Sequence, residues 1–228
     1  MMNIVHLIDC MEFMKGIPDK YYELAIVDPP YGIGRFEKPS GNTRFNSSKM
    51  MQESGLIWDK KPTELYWKEL FRISENQIIW GANNFKLPES EYFCVWDKLQ
   101  TVDNFASAEL AYVSMGLKKP AKVFRYSIHK HNQQDKIHPT QKPVALYKWL
   151  LKNYAKPNDK IFDSHVGSGS IRIACHDMGF DFEGCELDKD YWEAQEERFK
   201  SHTMQGDLFA PQEIQQIAVN GNLFKEVE

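Results

Sequence analysis

The chain has 228 residues, 42% of them hydrophobic and 26% charged, with a formal net charge of −4. That length and composition fit one large, soluble globular domain with a sizeable core. No apolar run approaches a membrane span, the N-terminus lacks a signal-peptide pattern, and four cysteines without paired CxxC spacing indicate neither a zinc site nor a disulfide framework, so a reduced, cytoplasmic setting is expected.

In chain order, Asn3–Ile8 and Glu23–Val27 read as strands with a short helix between them. Residues 35–61 are polar and carry six bases against three acids, and a loop of this length is functional or disordered. A helix is predicted over Thr63–Ser74, then strand Gln77–Trp80 and the turn "GANNF". Tyr92–Trp96, Glu109–Met115 and Lys122–Tyr126 have the aromatic and β-branched content of further strands. Beyond them helix Pro143–Ala155, strand Ile161–Asp163, helix Ile171–Met178, strand Phe182–Leu187 and helix Tyr191–Lys200 alternate, which implies an α/β fold with a mostly parallel sheet. Residues 201–228 read as a polar tail, leaving 1–200 as the folded domain.

The net charge hides an asymmetry. Leu117 to Lys142 holds seven bases against the single acid Asp135, whereas Glu183 to Glu228 holds eleven acids against four bases. Either block reads as a solvated face; a basic stretch can also contact phosphates while the far side stays acidic.

"IFDSHVGSGS" followed by "IRIACHDMGFDFEGCELD" has the order strand, glycine turn, helix, strand, acid. Gly167 and Gly169 allow a tight turn and close approach of a ligand, and Glu186, 19 residues after Gly167, ends the next strand where a carboxylate can accept from ribose hydroxyls. The third glycine of the dinucleotide fingerprint is replaced by Arg172, and no P-loop ending is present. The candidate ligand is therefore a nucleoside without a pyrophosphate; the alternative is a tight turn with no ligand.

"VDPPY" stiffens the end of the second strand. Pro29 and Pro30 fix φ and have no amide donor, so they hold a rigid loop with outward carbonyls. Asp28 supplies a carboxylate acceptor and Tyr31 a flat stacking face. An exocyclic amine on a flipped nucleobase matches this set; a rigid strand-capping turn is the plainer alternative.

The DPPY loop, "HPTQKP" at His138–Pro143, "DSHVGSGS" and the Asp9–Cys10–Met11–Glu12 segment together resemble the amino-group DNA methyltransferases that use S-adenosylmethionine, in the motif order of the circularly permuted β group. The resemblance covers roughly Asn3 to Phe199 and implies a Rossmann-like, doubly wound sheet of the class I methyltransferase type. It implies that Asp28 and the Pro29 carbonyl accept from the target amine, that Pro30 keeps the loop rigid and that Tyr31 stacks on the base. It places Asp163, Gly167, Ser168 and Gly169 at the methionine end of the cofactor, Glu186 on its ribose, and Asp9 with Cys10 at its adenine. Thr140, Gln141 and Lys142 are implied to meet the methionine carboxylate and ammonium. One departure stands out: the family has Pro-Phe where this chain has Ser164 and His165, so His165 either takes over the aromatic packing on the cofactor or weakens its binding.

The implied reaction is methyl transfer to N6 of adenine, with N4 of cytosine, a non-catalytic DNA-binding subunit and an RNA substrate as alternatives. Arg35, Lys38, Arg44 and Lys49 in residues 35–61, with Lys118, Lys119, Lys122, Arg125 and Lys130 in residues 117–137, are candidate contacts to double-stranded DNA, with a homodimer as a further expectation. His129, His131 and His138 invite a metal reading, but no matching Cys/Asp/Glu cluster accompanies them and no metal is expected. "MQGDLF" resembles a peptide that binds bacterial sliding clamps, through Gln205, Asp207, Leu208 and Phe209; packing of the tail on its own domain is the alternative.

Overall fold

The computed structural model describes residues 2–32, 60–100, 102–103, 106–129, 136–138 and 140–208, the last four (205–208) by their backbone alone. Eight strands form one sheet: β1 (Asn3–Leu7), β2 (Tyr22–Val27), β3 (Ser74–Trp80), β4 (Phe93–Asp97), β5 (Ala108–Val113), β6 (Lys122–Arg125), β7 (Lys160–Asp163) and β8 (Asp181–Glu186), in the order β1-β8-β7-β2-β3-β5-β4-β6. Only β5 runs antiparallel to its neighbours. Helices α1 (Cys10–Lys15), α2 (Glu64–Ile73), α3 (Val144–Tyr154), α4 (Ser170–Met178) and α5 (Lys189–Leu208) complete the described elements, with short 3-10 turns at Ala82–Asn84 and Met115–Leu117.

Local chemistry accounts for these boundaries. Asp9 caps α1 by accepting from the Met11 amide at 2.7 Å, and Thr63 caps α2 by accepting from the Tyr66 amide. Gly179 ends α4 in the left-handed region, with the Phe180 amide returning to the Cys175 carbonyl. Pro143 sits at the N-cap of α3, one position ahead of the predicted first turn. The central strand β2 alternates in the expected way. Leu24 and Ile26 pack with Leu146, Leu150 and Ala174 of α3 and α4, while Ala25 and Val27 pack with Met14, Tyr66 and Leu70 of α1 and α2. Helices thus cover both faces, as a parallel sheet requires.

α5 runs eight residues past Lys200, into what reads in the sequence as tail. Its polar composition hides the helix end, but its first half is anchored: Trp192 donates to the Val5 carbonyl at 2.9 Å. Arg172, the residue in place of the third glycine, is buried. It bonds Asn3 at 2.7 Å, Gln195 at 2.9 Å and Glu196 at 2.6 Å, with its guanidinium 3.9 Å from the Phe199 ring centroid. A side chain that ties α4 to β1 and α5 replaces the close packing that a glycine would permit. Tyr147 and Tyr154 are buried and Trp149 packs on Phe124, in keeping with a packing role.

No described helix is long and apolar enough to cross a membrane. Arg35, Lys38, Arg44, Lys49, Lys130, His131 and Phe209 lie outside the described residues, as do the side chains of Gln205, Asp207 and Leu208.

Candidate active site

The sheet topology brings the sequence motifs to one edge. β1, β2, β3, β7 and β8 are parallel, so the residues that follow them, Asp9, Asp28, Gly81, Ser164 and Leu187, share the carboxyl edge. That is where open α/β sheets hold ligands. β7, which carries the glycine turn, lies directly beside β2, which carries Asp28.

The glycine turn has the backbone its residues suggest: φ is +52° at Gly167 and +71° at Gly169, both left-handed. Gln195 lies under Gly169, and Arg198 of α5 donates to the Ser168 carbonyl at 2.6 Å and to Ser170 Oγ at 3.0 Å, so α5 braces the turn from behind. Glu186 accepts from the Gly167 amide at 2.8 Å and from the Asp188 amide at 3.0 Å. These bonds fix its orientation and leave lone pairs on both oxygens; burial raises its pKa.

Asp163 is 1% exposed and accepts from the His165 amide at 3.0 Å. Among the described residues no cation forms an ion pair with it. Burial, reinforced by the charges of Asp28 and Glu186, pushes its carboxyl up to about 8. Cys10 is pushed up to about 12 by burial and by Asp9, so it is a neutral thiol.

Ser164 and His165 form a connected pair. Tyr66 OH lies 2.6 Å from Ser164 Oγ, which lies 2.8 Å from His165 Nδ1, and the His165 ring meets Tyr66 edge-on with centroids 5.6 Å apart. Burial pushes the imidazole down to about 4, so it is neutral near pH 7. The ring therefore packs on Tyr66 as a neutral group.

On the other side of the cleft, Tyr31 OH donates to Asp28 Oδ1 at 2.6 Å. The Tyr31 ring lies over Gly81, whose φ is +70°: a Cβ there would fall 2.2 Å from Tyr31 Cε1. Phe85 meets the same ring edge-on at 6.0 Å. "WGANNF" is therefore the floor beneath Tyr31. The sequence marks this segment only as a turn; the signal available for its role is a glycine directly after a buried strand.

The described residues of the "HPTQKP" segment bridge the two sides. His138 packs beside Gly167 and against Tyr191, ring centroids 4.3 Å apart, and burial with the Lys142 ammonium pushes it down to about 4. Thr140 Oγ1 lies 3.0 Å from His138 Nδ1, and Gln141 Oε1 accepts from the Ile137 amide at 3.2 Å. Lys142, buried, donates to Asp28 Oδ2 and lies 3.1 Å from Glu109 Oε2. Burial pulls its pKa down, but Asp28 and Glu109 hold it well above the ordinary lysine value. In the sequence Glu109 is marked only as a strand end. Burial pushes its carboxyl up, and the ammonium groups of Lys142 and Lys98 outweigh this and hold it at about 2.

The candidate DNA contacts divide. Arg125 ends β6 at the carboxyl edge, 3.5 Å from Asp97. Lys118 and Lys119 follow β5, and Lys122 begins β6; the direction of both strands places these three at the opposite edge from Asp28. Basic composition marks the stretch, but it cannot show that one antiparallel strand carries half of it away from the cleft. Of the histidines that invite a metal reading, His129 is exposed and His138 belongs to the cleft. His176, Asp177 and His202 do converge elsewhere, but Asp177 already accepts from His202 at 2.7 Å and pairs with Lys148 at 2.6 Å, an ion-pair clasp between α3, α4 and α5.

Fold and site together define a doubly wound α/β protein whose cleft sets a rigid Asp-Pro-Pro-Tyr loop beside a glycine turn. A family model described as DNA methylase matches residues 44–197, more than half of the chain, and the chain belongs to that family. Among curated relatives, the type II methyltransferase M.BglII of Bacillus subtilis is 23% identical over 83% of this chain and 67% of its own length. Among solved structures, an M1.HpyAVI–SAM complex superposes with a TM-score of 0.52 at 17% identity, covering 85% of this chain and 98% of its own. The cytosine-N4-specific PvuII DNA methyltransferase gives a TM-score of 0.54 at 11% identity, covering 87% and 90%. These two likenesses establish a shared fold.

Proposed function

We propose that this chain is an S-adenosylmethionine-dependent DNA methyltransferase acting on the exocyclic N6 amine of adenine, with the base flipped into the Asp28–Tyr31 pocket. The observation that carries the reading is the bridge from His138 beside Gly167 to Lys142 on Asp28, which joins a nucleoside-type cleft and an amine-acceptor loop at one sheet edge. The strand order, with late strands β7 and β8 between β1 and β2, supports the circularly permuted arrangement. Adenine rests on the Asp in DPPY; the fold likeness to a cytosine-N4 enzyme keeps cytosine as the competing base.

The residues present fit the cofactor. The glycine turn offers close backbone approach, Glu186 is a fixed acceptor for ribose hydroxyls, and Asp163 is a buried carboxyl that a cationic ligand would match. S-adenosylmethionine supplies a sulfonium methyl: the amine lone pair forms the N–C bond as the C–S bond breaks, leaving a thioether and, after loss of one amine proton, a methylamine.

The chain's own part is orientation and electrostatics. Asp28 and the Pro29 carbonyl accept from the two amine hydrogens, which favours a more tetrahedral nitrogen and stabilises its developing positive charge. Tyr31 holds the base by stacking. Placing both reactants at one edge supplies most of the acceleration.

Single-molecule sequencing of DNA from cells expressing this chain, beside an Asp28→Ala control, tests the assignment. Modified adenine at one recurring sequence is expected. Modified cytosine would replace the base assignment, and no modification with intact cofactor binding would favour a non-catalytic subunit.

Gly81→Ala is expected to lower the unfolding free energy by about 1–2 kcal/mol through its left-handed backbone. It should also push Tyr31 aside and raise KM for DNA. Denaturant titration and steady-state kinetics check both; a variant unchanged in both would contradict the floor role.

A further inference from the structure

Four side chains of alternating charge form an unbroken row at the carboxyl edge: Lys98, Glu109, Lys142 and Asp28. Lys98 Nζ lies 2.6 Å from Glu109 Oε1, Lys142 Nζ lies 3.1 Å from Glu109 Oε2, and Lys142 donates to Asp28 Oδ2. They come from four places in the chain: the residue after β4, the second residue of β5, the segment before α3 and the residue after β2. No motif joins them. Lys142 has only 4% of its side chain exposed, and the other three at most 24%.

An ammonium has three donors and no acceptor. One Lys142 donor goes to Asp28, and the Tyr31 hydroxyl oxygen lies 3.4 Å from the nitrogen. The Glu109 contact is an ion pair out of hydrogen-bond alignment, with Oε2 buried and otherwise unbonded. A buried ammonium facing Asp28 alone would pair with it fully and blunt it as an acceptor. Asp28 already receives Tyr31 on its other oxygen, so little of it would remain for an incoming amine.

We propose that Glu109, anchored by Lys98, is a positioning residue for methyl transfer: it shares the Lys142 ammonium with Asp28 and so preserves the charge and open lone pair that the target amine needs. This rests on reading Asp28 as the acceptor of that amine. Glu109 acts through Lys142.

The charge balance gives the role its own signature. Lys142 is faced by Asp28 from the end of β2, by Tyr31 from the loop beyond, by Glu109 from β5 and by Tyr147 from α3, and its charge reaches His138 and Asp163. Asp28 and Glu109 are the two anions that most strengthen its hold on its proton. A neutral Lys142 would no longer hold Asp28 in position, so kcat declines where Lys142 loses its proton; neutralising Glu109 weakens its hold on that proton and moves the decline to lower pH. Removing Lys98 leaves Glu109 wholly to Lys142 and moves the decline the other way.

The test uses the full chain with S-adenosylmethionine and unmethylated double-stranded DNA from a host lacking the chain. The variants are Glu109→Gln, Lys98→Met and Asp28→Ala, read by kcat, KM, pH profile and melting temperature. Glu109→Gln is expected to lose about 10- to 100-fold in kcat, as a small misplacement of a reacting group can cost, with KM little changed and the alkaline limb displaced downward. Lys98→Met, which removes no group from the cleft itself, should displace the limb upward even if Glu109→Gln folds poorly. Normal kcat in Glu109→Gln, or a loss with neither variant moving the pH profile, overturns the positioning role. If Asp28→Ala itself turns over normally, the underlying reading of Asp28 fails instead. A dead Asp28→Ala beside a fully active Glu109→Gln overturns only the role of Glu109.

Discussion

Asp28→Ala is expected to lower methyl transfer at least about a thousandfold, the upper range for removing one preorganised charge-stabilising group from an active site. The variant loses the carboxylate that Tyr31 and Lys142 both address. A stacked base would then present its amine to a gap, its lone pair still delocalised into the ring. Cofactor affinity measured above pH 8, where Asp163 is ionised in either protein, should stay near that of the parent chain, because Asp163, the glycine turn and Glu186 are untouched. Lys142 keeps Glu109 as a partner, but losing one member of a buried ion pair costs on the order of 3–5 kcal/mol, so a lower melting temperature should accompany the loss. Asp28→Asn separates the two effects by keeping the shape and one acceptor oxygen. If either variant, folded and saturated with cofactor, turns over at near-normal rate, the amine is not held by this carboxylate.

How much of this was legible beforehand depended on whether a feature is local. Apart from the C-terminal end of α5, strand and helix positions lie within a few residues of those observed, because elements such as β2 and α2 carry their signal in adjacent apolar and capping residues. The glycine turn and the DPPY loop were legible for the same reason. Glu109 was not: its importance comes from β5 running antiparallel, which brings the start of that strand to the carboxyl edge beside Lys142. The same reversal carries Lys118, Lys119 and Lys122 to the far edge, so one long-range pairing both completes the site and divides the basic stretch. Lys142 illustrates the limit of motif reading. Its motif marks it as a candidate cofactor contact, and its partner in the structure is Asp28 of the DPPY loop, 114 residues away in sequence. Arg172 is the converse case, a fingerprint departure explained by packing against β1 and α5 rather than by a ligand.

Affinity for S-adenosylmethionine is expected to rise about tenfold per pH unit as pH approaches 8 and then level off, one pKa unit being worth 1.36 kcal/mol of differential interaction. The cause is Asp163. In the free protein burial, Asp28 and Glu186 push its carboxyl up to about 8, so below that pH it holds a proton. Beside a ligand with sulfonium and ammonium charges the carboxylate form is favoured, and the pKa falls on binding. Binding therefore expels a proton at lower pH and expels none once the free carboxyl is already ionised, which gives the positive slope below 8 and the plateau above. His138 and His165, both pushed down to about 4, stay neutral throughout this window and add no slope of their own. Calorimetric titration between pH 6 and 9, in buffers of different ionisation enthalpy, measures the slope and the proton released. Asp163→Asn should remove both and bind more weakly at pH 8 than the parent chain. A flat affinity from pH 6 to 8 in the parent would mean that Asp163 does not face the cationic end of the cofactor.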